Sequence, residues 1–337
     1  MLTGTLAAQS RRATDEQTAP LLQLSAGEVV RFDSLPSGVI VNPVKCDERG
    51  AVYFRQYKRG DVSGSPIIQL DVRDKKSQVF NVRNISEKSI SNPASLRIED
   101  FTPSGRNLYV AVVDENDAAY VLTFSLNDAG YLGAVPIEKN FFPLNVAVFP
   151  TGDMILSGTA KKNPADPQSP LNPVTAICDN KGRFVSHVKL PDDLRLQDVK
   201  GKNDESAFQS LTTSLMQSSG TFAYLLRPAE DPILYAVLPD GTADSKKVLK
   251  SPGKLFTPVN FRIAAPYAIV QYVHDPINDG KTNRFVQYDL NSGEVLSIAS
   301  PDENLLGAFA CYDPSRNEYT FLLNSGGHVA LQSASLR

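Results

Sequence analysis

The chain has 337 residues, 42% of them hydrophobic and 21% charged, with a formal net charge of −3. That composition excludes a disordered chain, and the near-balanced charge gives no general drive toward nucleic acid or an anionic membrane. No apolar run approaches the roughly 20 residues that span a bilayer, and three cysteines are an odd count that rules out a disulfide scaffold.

At the start, Met1 to Gln9 is a short apolar stretch followed by small residues, as before an A-x-A-like cleavage site, but without a basic leader. Two readings stand: a cut or misassigned export signal, which makes the protein secreted or periplasmic, or an ordinary flexible arm on a protein that could equally be cytoplasmic. Residues 10–20 are polar and lack a period. Residues 1–23 are therefore read as an arm and 24–337 as one domain. Residues 27–34 (GEVVRFDS) closely match residues 293–300 (GEVLSIAS).

From residue 39 onward six segments repeat one grammar: strand, tight turn, strand, variable loop, strand, tight turn, strand. The first has the turn Asp47-Glu48-Arg49-Gly50, then Val52-Tyr53-Phe54. The second has Pro103-Ser104-Gly105, then the strand from Leu108 and a hairpin turn at Asn127-Asp128-Ala129-Gly130. The third has Pro150-Thr151-Gly152 and Asp179-Asn180-Lys181-Gly182, and the fourth Ser218-Ser219-Gly220 and Pro239-Asp240-Gly241. The fifth has Ala265-Pro266 and Asn291-Ser292-Gly293. Glycine supplies the positive φ that such turns need, and proline presets φ near −65°. The sixth turns at Asp313-Pro314-Ser315 and continues through Tyr319 and residues 328–333, one strand short of a full unit.

The N-terminal strand at 28–32 has no repeat in front of it and fits the missing place, pairing with 328–333. The fold is read as all-β: a six-bladed β-propeller of four-stranded antiparallel blades, its ring closed by that strand. The strand–D/P-x-x-G–strand pattern at 47–54 and 101–110 resembles the superfamily of six-bladed propellers that includes the NHL, TolB-like and senescence-marker (gluconolactonase-like) groups. The resemblance covers about residues 27–337. With no Trp there is no WD dipeptide, and no YWTD or Kelch signature is present.

In such a topology the tight turns share one face. The variable loops (59–65, 161–172, 275–283) and connections (84–94, 192–209) share the other. Variable loops on a rigid scaffold carry binding, so that face is read as functional. The first strands line the channel, and their polar residues are the site candidates: Asn42, Arg97, Glu99, Asn145, Thr212, Asn260 and Arg262. Arg97 and Arg262 could form a charged mouth for an anionic ligand; pairing of each with a neighbouring carboxylate is the plainer alternative. Arg55, Tyr57 and Arg227 sit near the same face, as does His274 beside Asp275.

Cys46 and Cys311 occupy matching places in neighbouring units. Adjacent inner strands often diverge beyond the roughly 7 Å that a disulfide spans, so both are read as small buried hydrophobes, with a bond left open. Propeller lactonases, within the resemblance, hold a calcium-type ion with Glu, Asn and Asp. Asn42, Glu99, Asn145 and Asn260 are the residues that could do so here, with Arg97 and Arg262 placing positive charge against it. The loop from Asp275 to Lys281 begins like a calcium loop but lacks the closing Glu. No P-loop, G-x-S-x-G, GxGxxG or zinc spacing occurs. The reading is a non-catalytic binding or scaffold propeller, without a cofactor, for a peptide, protein segment or small anionic ligand. The alternative is a metal-dependent lactonase or other hydrolase using a divalent cation such as calcium.

Overall fold

The computed structural model describes residues 21–36, 38–57, 65–138, 141–161, 163, 166, 168–188, 215–274, 282–325 and 327–337. Regular structure among them is β-strand, apart from one short 3-10 turn at Pro93–Ser95. No described helix is long and apolar enough to cross a membrane.

Strand β1 (Leu21–Pro36) precedes four antiparallel four-stranded sheets. The first holds β2 (Val39–Cys46), β3 (Val52–Tyr57), β4 (Ile67–Asp71) and β5 (Lys76–Phe80). The second holds β6 (Arg97–Ser104), β7 (Asn107–Val113), β8 (Ala119–Ser125) and β9 (Tyr131–Pro136). The third holds β10 (Phe141–Val148), β11 (Met154–Lys161), β12 (Leu171–Cys178) and β13 (Phe184–His187). The fourth holds β14 (Leu215–Ser219), β15 (Phe222–Arg227), β16 (Ile233–Val237) and β17 (Ala243–Val248). The remaining strands are β18 (Thr257–Ala264), β19 (Tyr267–His274), β20 (Thr282–Asp289), β21 (Val295–Pro301), β22 (Ala308–Asp313), β23 (Glu318–Ser325) and β24 (His328–Leu336). With β1 they form one eight-stranded sheet in the order β18-β19-β20-β21-β1-β24-β23-β22.

Turn chemistry sets this pattern. Gly50, Gly152 and Gly182 take φ of 85°, 87° and 77°, which a side chain disfavours. The 127–130 turn places Ala129, not Gly130, at positive φ (55°).

The long first strand explains why the sheets number four plus one, where six separate blades were expected. Residues 28–32 do lie along β24, with Val29 opposite Gln332 and Phe32 opposite Val329. But β1 reaches back to Leu21, and Leu21 to Leu24 run parallel to Ile298 to Pro301 of β21. One strand thus hydrogen-bonds on both edges and fuses what lies on either side.

The core is a set of hydrophobic layers between sheets. One layer packs Tyr53 and Phe80 of the first sheet against Phe101 and Phe124 of the second. Others follow between each sheet and the next, and another lies inside the fused sheet around Phe285, Phe309 and Phe321. The last joins Phe32, Leu322 and Leu331 to Val52, Phe54 and Leu70 of the first sheet. The first strands β2, β6, β10, β14, β18 and β22 each touch the next, and β22 touches β2, which encloses a central channel.

At that last contact Cys46 and Cys311 are joined in a disulfide, correcting their reading as unbonded hydrophobes. The ends of β2 and β22 bring the two Cα atoms to 5.7 Å, inside the bonding range, so neighbouring inner strands do not diverge here.

Candidate functional site

Five of the six channel strands carry an irregularity in register: between Val41 and Lys45, Ile98 and Asp100, Pro143 and Asn145, Pro258 and Asn260, and Phe309 and Cys311. A bulge sets two residues against one partner and re-aims the side chains that follow. Here it turns Asp100 and Asn260 toward the next strand of the circuit. Those inner strands are sheet edges, with backbone groups that need partners.

Side chains supply them. Asp100 accepts from the Lys45 Nζ at 2.7 and 2.8 Å and from the Val146 N–H at 2.8 Å, tying β2, β6 and β10 together. The Ser104 hydroxyl donates to the Val148 carbonyl at 3.2 Å, and the Val148 N–H donates to Ser218 Oγ at 2.8 Å. The Gln217 amide exchanges two bonds with the Ile263 backbone, at 3.2 and 3.0 Å. The Asn260 amide donates to the Phe309 carbonyl at 3.0 Å. The Arg262 guanidinium reaches the Ala310 and Val44 carbonyls and so links β18 to β22 and back to β2.

Two cavities occupy the channel. The outer one, of about 1200 Å³, opens where the six first turns meet, among them Gly50, Gly105, Pro150, Gly220, Ala265 and Pro314. Across this mouth Glu48 Oε1 accepts from the Gly220 N–H at 3.2 Å. The inner one, of about 120 Å³, is lined by Lys45, Glu99, Asp100, Asn145, Asn260 and Arg262. Cys46, Pro103, Gln217, Ser218 and Arg262 border both and form a waist between them.

Among the expected site residues, Glu99, Asn145, Asn260 and Arg262 come together on the inner cavity. Arg97 does not join Arg262: it is half exposed and lies 3.9 Å from Glu99 and 3.7 Å from Asp117. Arg55 is buried, donates to the Ile98 carbonyl at 2.8 Å, and leaves its Nε without an acceptor in the structure. Arg227 and His274 end β15 and β19 and line neither cavity, with the His274 ring 5.4 Å from that of Phe256. The side chains of Asn42 and Tyr57, and Thr212 altogether, lie outside the described residues, as do most of the long loops and the segment from Asp275 to Lys281.

Burial dominates the electrostatics. It pulls the Arg262 guanidinium down to about 9. It lowers the Lys45 ammonium against the opposing pull of Asp100. It lifts the Glu99 carboxyl above its ordinary value, with Arg97 and Arg55 opposing. Oxygen donors for a cation are present in Glu99, Asn145 and Asn260, but the Asn260 carbonyl oxygen already accepts from Arg262 Nη1 at 2.7 Å. No group of three or more His, Cys, Asp or Glu side chains suited to a metal occurs among the described residues.

Sequence reasoning missed Lys45, Asp100, Gln217 and Ser218. The signal was the run Glu99-Asp100, two acids in succession inside an apolar strand, which marks a bulge because strict alternation cannot send both to one face. Ser218 was placed in a turn and instead belongs to β14.

No protein-family model matches the chain, and no curated protein matches its sequence. Among solved structures it is similar to a protein of unknown function from Bacteroides caccae (12% identity, 78% of this chain and 82% of that one, TM-score 0.43). It is also similar to TolB from Acinetobacter baumannii (13%, 86% and 65%, 0.46) and to the GH74 xyloglucanase from Xanthomonas campestris (12%, 91% and 45%, 0.45). With TM-scores below 0.5, these likenesses carry no argument about this chain.

Proposed function

We propose that the chain is a six-bladed propeller acting as a recognition or scaffold module, with the fused sheet made of two blades that share β1. It takes a peptide, protein segment or small anionic ligand in its channel, entered from the short-turn face and not from the long-loop face that the loop lengths favoured. The observation that carries this reading is the cavity of about 1200 Å³ ringed by six short turns; a large concavity with a few convergent polar groups is the default binding site. The channel polar groups are mostly engaged in holding neighbouring strands together, which suits a rigid receptor better than a catalyst. The disulfide supports a secreted or periplasmic location, where such bonds persist.

A photo-crosslinking residue placed at Thr221, on the mouth, is expected to capture a ligand in the native host, whereas one at Arg97 on the long-loop side is not. Capture only at Arg97 would move the site to the opposite face. The second reading, a hydrolase using a divalent cation, rests on Glu99, Asn145 and Asn260 lining one cavity. Metal analysis of the purified protein, with a lactone and ester panel run with and without chelator, decides between them.

A further inference from the structure

Arg262 is a buried cation that no acid pairs with among the described residues. Its side chain is almost wholly enclosed, and a guanidinium offers five N–H donors. Nε is bonded to the Ala310 carbonyl. Nη1 is bonded to Asn260 Oδ1 at 2.7 Å and to the Phe261 carbonyl at 2.6 Å, and Nη2 to the Val44 carbonyl. The ring of Phe309 lies 5.5 Å from the guanidinium carbon. Every one of these partners is neutral. Carbonyls and an aromatic face solvate the charge without cancelling it, and a buried charge left uncompensated is strongly unfavourable.

The neighbouring charges do not cancel it either. Lys45 and Asp100 neutralise each other at 2.7 Å. At the mouth, Arg49 is paired with Asp47 and Arg316 with Asp313. Glu99, on the inner cavity, faces Arg97 at 3.9 Å. Among the described side chains that border both cavities, Arg262 alone is charged, and it puts one positive charge on the waist. One Nη2 hydrogen of Arg262 has no partner among the described residues. Nor has the hydroxyl hydrogen of Ser218, whose oxygen accepts from Val148.

We propose that this waist is a carboxylate-binding site, entered through the mouth of the six short turns, where one carboxylate of the ligand accepts from Arg262 and Ser218. The inference rests on the reading of the channel as a recognition site and names the chemistry recognised there. A single negative charge on the ligand matches the single positive charge of the waist. The carboxylate is supplied by the C-terminus of a peptide or by a small free acid.

Both sources are tested on the whole, unmodified protein by following the Arg262 side-chain Nε–H signal in nitrogen-15 NMR. The titrants are acetate, a hexa-alanine peptide with a free C-terminus, and the same peptide amidated. Acetate and the free peptide are expected to shift the signal saturably, and the amidated peptide to leave it unmoved. Binding of the free peptide at least about tenfold tighter than acetate, some 1.4 kcal/mol, assigns the site to chain termini, and equal binding assigns it to small acids. Arg262→Lys, which keeps the charge but loses the fork, is expected to weaken acetate binding about tenfold or more, read in both proteins on the side-chain amide signal of Gln217, which borders both cavities. A signal that stays fixed up to about 50 mM acetate and with both peptides, or that moves equally with the amide, overturns the proposal. A silent titration beside successful crosslinking at Thr221 removes the carboxylate and leaves the mouth as the binding site. Silence in both removes the recognition reading itself.

Discussion

Removing the bond between Cys46 and Cys311 should lower stability by an amount set by the chain it encloses. The two residues are 265 positions apart. Loop-closure entropy for that length gives a ceiling of roughly 5.6 kcal/mol, and measured bonds deliver about 2–4. A chain of this size unfolds with an entropy near 0.7 kcal/mol/K, so the melting temperature should fall by about 3–8 °C. The comparison is calorimetry of the wild type with and without reductant, and of the Cys46→Ser/Cys311→Ser double variant, in which reductant should have no effect. Thiol titration gives an independent check. Cys178 is the free cysteine, buried, with its thiol pushed up to about 12 by that burial. It should be silent in the folded protein and react as a single thiol once the unreduced protein is denatured. A melting temperature unchanged within about 1 °C, or all three cysteines titrating without reductant, would refute the reasoning.

Lys45→Met strands Asp100 in the channel without its cation and should cost roughly 3–5 kcal/mol in urea denaturation, much of it recovered in the double variant with Asp100→Leu. A silent single variant counts against the polar circuit. Glu99 holds its proton more tightly folded than unfolded, because burial raises its carboxyl. Its unfavourable contribution therefore appears as pH rises through the ordinary carboxylate range and is complete above the raised value. Glu99→Gln should melt with the wild type at low pH and above it at neutral pH, and the reverse order would show that Arg97 and Arg55 prevail over burial. Deleting residues 1–34 removes most of β1, including buried Leu24 and Phe32, and bares the edges of β21 and β24. The product should unfold or self-associate in light scattering, and a monomer with wild-type melting would sink the closure argument.

The strand grammar was legible because turns are local chemistry: a glycine at positive φ, as at Gly50 or Gly182, announces itself in four residues. The pairing of residues 28–32 with 328–333 was legible because an unpartnered strand at one end matched a vacancy at the other. What β1 does with Leu21 to Leu24 was not, since an apolar tetrad next to a polar arm carries no sign of which sheet edge it meets. The channel was half legible. Taking the polar residues of the first strands found Glu99, Asn145, Asn260 and Arg262, but missed Lys45 and Asp100, which the bulges bring round. The disulfide depended on how closely two strands 265 residues apart approach, a tertiary distance that spacing cannot supply.

The two strands that seal the ring also decide how it answers to tension. Leu24 lies opposite Leu336 and Phe32 opposite Val329, so the outer ends of β1 and β24 sit side by side. Pulling on them loads the ladder one hydrogen bond at a time, as a zip, where a parallel arrangement would share the load across all bonds at once. The seam should open at low force in a single-molecule trace. Extension then stops at the covalent bridge between Cys46 and Cys311, which keeps everything between those residues out of the force path. Reduction removes that stop, and the rest of the protein then becomes extensible.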